Sequence, residues 1–179
     1  MAEEKKEKWL GLVAVTTIVF AVCATLSTFK GGQHSTRAVL SQAKATNQWA
    51  YYQAKDMKQY LHELQKDELD LAMMNAAAGK GGEAYAKAVA DKTKAYAAKI
   101  EKYEAQKEEI KKQAEGYDAA IAQAQAHSGA FGMAIIFLQI AILLSSVAAL
   151  MRLKSVWLGG VAVGVIGLVC FANGFFLFL

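Results

Sequence analysis

The chain has 179 residues, of which 55% are hydrophobic, and its formal net charge is +4. Between residues 30 and 125, fifteen Lys and Arg residues are mixed with thirteen acidic ones, so no basic stripe of the kind found in nucleic-acid binding proteins is present. Cys23 and Cys170 lie in apolar stretches and form no CxxC pair, which indicates small buried thiols rather than a disulfide or zinc framework.

A charged tail, residues 1–8, precedes an uncharged block, residues 9–29. At about 1.5 Å rise per helical residue, this block is long enough to cross a hydrocarbon core of about 30 Å. A cleaved signal peptide is the alternative, but its apolar region is shorter, about 7 to 15 residues, and ends at a clear cleavage site. We therefore predict an uncleaved first transmembrane helix.

Residues 30–130 form a polar segment rich in Ala, Lys, Glu and Gln, which are good helix formers, and the whole chain lacks proline. The one obvious break is a glycine cluster near residues 79–82, which predicts a turn between two arms of similar length. We therefore predict an antiparallel coiled-coil hairpin outside the membrane.

Both arms carry a seven-residue repeat, which is typical of helices that wind around one another with a left-handed supercoil. In the first arm the repeat consists of Ala43, Ala50, Met57, Leu64 and Leu71, with partners three residues earlier at Leu40, Asn47, Ala54, Leu61 and Glu68. In the second arm it consists of Val89, Tyr96, Tyr103, Ile110, Tyr117 and Ala124, with partners at Ala86, Thr93, Ile100, Lys107, Ala114 and Ile121. The two series are predicted to face each other as the seams of the hairpin.

Polar seam positions such as Asn47 either fix the register of the helices or lie near an exposed edge of the seam. A two-helix hairpin is also too thin to bury every ring of an aromatic cluster in the first arm. The cluster comprises Trp49, Tyr51, Tyr52 and Tyr60. Trp49 and Tyr52 are therefore candidates for an interface between subunits, or alternatively for a surface that binds another protein.

Two further apolar blocks, residues 131–151 and 156–179, predict a second and a third transmembrane helix. A backbone in lipid must satisfy its own hydrogen bonds, so all three blocks are predicted to be helical. A large buried helical core in a water-soluble protein is the alternative, and it is disfavoured because such helices seldom lack charges on every face.

Small and polar residues inside the predicted spans mark helix contacts. The glycines on one face of the third span are Gly160, Gly164, Gly167 and Gly174. Such a face predicts close packing of helices, within or between subunits. Gln139 and Asn173 are expected to form interhelical hydrogen bonds rather than to line a permeation path. The spans contain no ionisable side chain of the kind that marks proton-coupled transporters.

Short positively charged segments predict the orientation of the spans. Arg152 and Lys154 lie between the second and third blocks, and the amino-terminal tail also carries lysines. Because short loops rich in Lys and Arg stay in the cytoplasm, we predict a cytoplasmic amino terminus and a periplasmic or extracellular hairpin.

No catalytic, cofactor-binding or metal-binding residue is predicted. The three histidines are widely spaced, and antiparallel arms bring only His34 and His127 together, without the further ligands that zinc prefers. The glycine cluster near residues 79–82 lacks the spacing of a phosphate-binding loop.

The stretch Trp9–Leu61, with its glycine pair after the first span and NQWAYYQAK at residues 47–55, resembles a family of bacterial inner-membrane proteins described as a domain of unknown function. The resemblance implies a bacterial inner-membrane location and supplies no catalytic residue.

These observations favour a non-enzymatic, homo-oligomeric membrane protein whose hairpin is a scaffold or binds an unidentified protein partner. A passive channel formed by the oligomer is the alternative, and an enzyme or metal protein is the third hypothesis. Besides further copies of the chain, the lipid bilayer is the expected partner, and nucleic acid is not.

Overall fold

The computed structural model describes residues 2–75 and 82–178, with side chains from Trp9 onward. Within these residues the chain forms helices and no strand, which confirms the predicted all-α class. The helices are α1 (Ala2–Asn75), α2 (Glu83–Met151) and α3 (Lys154–Phe176). The predicted turn near residues 79–82 lies outside the described residues except for Gly82, whose carbonyl accepts backbone hydrogen bonds from Tyr85 and Ala86 at the start of α2.

α1 and α2 each continue from a predicted span into a predicted arm without a break, because no proline interrupts the backbone hydrogen bonds. The link from α2 to α3 is short. Arg152 adopts a left-handed conformation with φ of 55°, and the Leu153 N–H donates to the Ala148 carbonyl at 3.1 Å. This pattern closes the carboxyl end of α2 and lets α3 begin at once.

The chain divides into two compact units. Unit 1 consists of residues 1–40 and 120–179, and unit 2 of residues 41–119. In unit 1, small residues lie beside large ones in a buried cluster of Phe20, Ala24, Ala134, Leu138 and Ala141. Alanines at helix contacts let backbones approach closely, as in helices that pack in lipid. All three helices are long and apolar enough to cross a membrane.

In unit 2, α1 and α2 contact each other in antiparallel directions. Gln48 donates to Gln113 at 3.1 Å, and further along α1, Lys55 donates to Gln106 at 2.9 Å. Residue numbers therefore rise on one helix while they fall on the other. Ala114 of α2 is fully buried in this contact.

Candidate functional site

The glycines of α3 receive large side chains from the other two helices of unit 1. All four predicted glycines, Gly160, Gly164, Gly167 and Gly174, are buried. The Phe20 ring of α1 lies directly against Gly164, and a Cβ added to Gly174 would come within 2.6 Å of the Phe131 ring of α2. These positions have no room for a side chain. The glycine face therefore packs within the chain, and it gives no reason to expect a contact between subunits.

A pair of histidines lies where α1, α2 and α3 meet. The rings of His34 and His127 stack with centroids 4.6 Å apart, as the antiparallel arrangement predicted. The Nδ1 atom of His127 is 2.8 Å from the Gly174 carbonyl oxygen. Because a carbonyl only accepts hydrogen bonds, Nδ1 carries the proton. The histidine pair thus links all three helices.

The surroundings of this pair favour a neutral imidazole at His34. Burial lowers the pKa of His34, and the positive charges of His127, Arg37 and Lys30 lower it further. A cavity of about 40 Å³ beside the pair is lined by His34, Arg37, Ala120, Gln123, Ala124 and His127. It has room for a few waters but is far smaller than the pockets that hold cofactors. Among the described residues, no group of three or more His, Cys, Asp or Glu is placed to hold a metal ion.

Gln139 and Asn173, the polar candidates of the predicted spans, lie in different surroundings. Asn173 is half-buried and has partners within the chain, and its main-chain carbonyl accepts the Leu177 N–H at 2.8 Å. Gln139 is exposed on an apolar side of α2 between Ile136 and Ile140 and has no hydrogen-bond partner among the described residues. Its amide is therefore available to a group outside unit 1.

Trp49 and Tyr52 of α1 contact α2 within unit 2. The Trp49 Nε1–H donates to Asp118 of α2 at 3.1 Å, and the Trp49 ring packs edge-on against Tyr52 with centroids 5.8 Å apart. Lys107 of α2 lies 5.4 Å from the centre of the Tyr52 ring. Both aromatic residues are half-buried, whereas their neighbour Tyr51 is exposed. These two rings therefore help to hold α1 against α2.

The series predicted for α2 is packed within the chain, although not against the apolar series of α1. Every position of that series is buried or half-buried, from Ala86 to Ala124. Within unit 2, Val89 and Ile110 are only 5% and 6% exposed.

The seam predicted for α1 is wrong, because every residue of that series is exposed. We call the part of it that lies in unit 2 the α1 stripe: Ala43, Asn47, Ala50, Ala54, Met57, Leu61, Leu64, Glu68 and Leu71. Its large side chains include Met57 and Leu71, which are 61% and 63% exposed. The most apolar side of α1 thus faces away from α2.

The side of α1 that contacts α2 mixes polar side chains with the rings of Trp49 and Tyr52. It carries a second seven-residue series, Ser41, Gln48, Lys55 and His62. The Lys55 ammonium lies 5.3 Å from the centre of the Tyr103 ring, and the His62 ring stacks on the same tyrosine at 5.7 Å. Long polar side chains pack their apolar stems and flat faces on aromatic rings, so tyrosines of α2 are covered without an apolar partner. This second series marks the side of α1 that contacts α2, and the more apolar repeat drew the prediction to the wrong side.

The fold thus defines an all-α protein with three helices suited to a membrane and an antiparallel helix pair. Residues 9–177 match the family described as Domain of unknown function (DUF4337), and the chain belongs to that family. No curated protein and no solved structure shows significant similarity to the chain.

Proposed function

We propose that the protein is a non-enzymatic homo-oligomer of the bacterial inner (plasma) membrane. Its three spans lie in the bilayer, and the antiparallel helix pair of unit 2 forms a coiled-coil scaffold or partner-binding element outside it. The α1 stripe carries this proposal. Its large apolar side chains, Met57, Leu61, Leu64 and Leu71, are all exposed. A row of such side chains on a water-soluble surface typically marks a site where another protein binds.

Exposed apolar side chains on unit 1 support the membrane location. Val15 and Ile18 of α1 are 58% and 63% exposed, and Leu143 of α2 is 66% exposed. In water such surfaces would cause aggregation, whereas lipid tails solvate them as well as a protein core does. Two short segments are positively charged: the amino-terminal tail, which carries lysines, and the link between the second and third spans, which carries Arg152 and Lys154. Because such segments stay in the cytoplasm, they support a periplasmic or extracellular position for unit 2.

Gln139 supports self-association in the bilayer. An amide that faces lipid without a hydrogen-bond partner costs several kcal/mol, on the order of 4–8 in a fully apolar solvent. A second copy that brings a polar group to Gln139 removes this cost, as polar residues do between transmembrane helices. Ser146 lies on the same exposed side of α2, but its hydroxyl donates to the Ile142 carbonyl of its own helix at 2.8 Å. Ser146 therefore needs no partner chain.

The experiment is a mass measurement of the full-length protein in lipid nanodiscs and in mild detergent. We expect a homo-oligomer that Gln139→Leu weakens and the matched control Ser146→Ala leaves unchanged. A monodisperse monomer of the unmodified protein in both media would contradict the proposal.

A further inference from the structure

We propose that a second copy of this chain covers the α1 stripe, with the two α1 helices parallel and in register. This inference rests on the proposed function, in that both copies are taken to lie in one membrane. It adds the surface, the partner and the geometry of the contact outside the bilayer.

The spacing of the α1 stripe selects a helix as the occupant. Its residues recur at intervals of three and four over four successive steps of seven, from Ala43 to Leu71. An α-helix has about 3.6 residues per turn, so a row that repeats every 3.5 residues drifts slowly around a straight helix. Such a row stays in contact with a partner along its length when the partner is another helix and the two helices wind around each other. A flat sheet or a globular pocket would match only part of its length.

The size of the surface matches an interface between two such helices. In a coiled coil, each heptad has two core positions and two flanking contact positions, so the nine core residues of the α1 stripe come with about as many flanking ones. Specific protein interfaces typically use about 20–30 residues on each side. The stripe on one copy and the same stripe on a second copy therefore form a contact near the lower end of the standard size.

The direction follows from the membrane. Two copies inserted with the same orientation send their α1 helices out of the bilayer in the same direction, and a twofold axis along the membrane normal places equal residues opposite each other. Asn47 then meets Asn47 of the partner subunit in the core of the contact. An asparagine at one such core position can hydrogen-bond to its equivalent and fix parallel register and dimeric state.

The charges that flank the α1 stripe agree with this arrangement. In a parallel coiled coil, a flanking residue meets the partner's residue five positions later. This alignment pairs Gln53 with Lys58 of the partner subunit and Tyr60 with the partner's Gln65, and it creates no pair of like charges among the flanking positions of residues 43–72. Glu68 is the exception in the core, where it meets Glu68 of the partner subunit. Glu68 is therefore the weakest position of the contact.

Disulfide trapping of the full-length protein in isolated membranes tests the geometry. In a background of Cys23→Ala and Cys170→Ala, the single variants Met57→Cys and Leu71→Cys are oxidised separately. Because parallel helices in register place each residue opposite itself, both variants should form covalent dimers. Ala98→Cys, on the exposed side of α2, is the control and should stay monomeric. Trapping at neither stripe position, or at only one of them, would overturn the proposal.

Two substitutions then change the strength of the contact in opposite directions. Leu61→Asp places a charge in the core and should weaken association about tenfold or more, whereas Ala98→Asp, which adds the same charge on α2, should not. Glu68→Leu removes the like-charged pair and should strengthen association about fivefold or more. Misfolding would give aggregates of mixed mass rather than more of a dimer of defined mass, and Glu68→Leu without any gain in that dimer would contradict the contact.

These outcomes separate the inference from the proposed function. If the nanodisc measurement shows an oligomer while the stripe positions do not cross-link, the parallel contact is refuted and the membrane oligomer stands. If the nanodisc measurement shows a monomer, both fail.

Discussion

Unit 1 and unit 2 hold their helices together by different means. In unit 1, aromatic and aliphatic side chains such as Phe20 fill places left by glycines, and the smallest residues mark the contacts. In unit 2, α2 contributes an apolar seam, whereas α1 contributes polar side chains such as Lys55 and leaves its apolar side exposed. When a helix is apolar on every side, residue size identifies the packed side, and when it is amphipathic, the apolar side need not be the one packed within the chain.

The largest effect is expected where unit 1 is most tightly packed. Gly164→Leu forces the Phe20 ring out of its place and should destabilise unit 1 by about 3 kcal/mol, the upper part of the range for overpacked cores. Gly159→Leu is the matched control, because a Cβ at this exposed glycine meets nothing within 4 Å. Thermal unfolding in detergent measures both, and equal stabilities would show that the glycine face is not tightly packed.

A second prediction compares the two helices of unit 2. Ile110→Ala, at a position 6% exposed, should cost about 2 kcal/mol, at the low end for buried aliphatic residues. Leu64→Ala, at a position 44% exposed, should cost less than about 0.5 kcal/mol in a monomeric protein. Amide hydrogen exchange of unit 2, recorded in highly diluted detergent samples, reports both changes. Equal losses of protection would mean that the α1 stripe does contact α2.

A third prediction concerns pH and the histidine pair of unit 1. Burial, with the nearby positive charges, lowers the pKa of His34 below its usual value of 6.5. Protonation therefore opposes folding, so the full stability is present above about pH 6.5 and is lost as the pH falls through the lowered pKa. The unfolding temperature should decrease on acidification, and His34→Phe, which keeps a flat ring but cannot take up a proton, should reduce this decrease. An unchanged pH profile in the variant would assign the effect to other groups.

The smallest effect is expected at an ion pair of unit 2. Asp56 and Lys107 form a salt bridge between α1 and α2, in which the hydrogen bond from Lys107 to Asp56 raises the pKa of the lysine. Since Asp56 is largely exposed, Asp56→Asn should cost less than about 1 kcal/mol. Asp70→Asn, which breaks a bridge to Lys66 within α1, is the control. Amide hydrogen exchange across unit 2 should be faster in Asp56→Asn than in Asp70→Asn, because only Asp56 joins the two helices. Equal exchange in the two variants would show that the bridge between the helices does not stabilise unit 2.

Several features of the fold could be predicted because they depend on one helix at a time. The absence of proline and the abundance of helix formers are enough to predict long helices, and the lengths of the apolar blocks are enough to predict three segments suited to a membrane. The meeting of His34 and His127 followed from the antiparallel arrangement of the arms, since each histidine lies a few residues from a predicted span.

The features that only the tertiary structure decided depend on the partner of each side chain. The seven-residue repeat of α1 showed which side of the helix is apolar but not whether α2 or another surface covers it. Lys55 and His62 of α1 lie on the ring of Tyr103 of α2, so polar side chains cover this ring without an apolar partner. Likewise, Gly164 required a close neighbour, but only the relative rotation of the helices selected Phe20. Periodicity is a property of a single helix, whereas packing energy belongs to a pair of complementary surfaces.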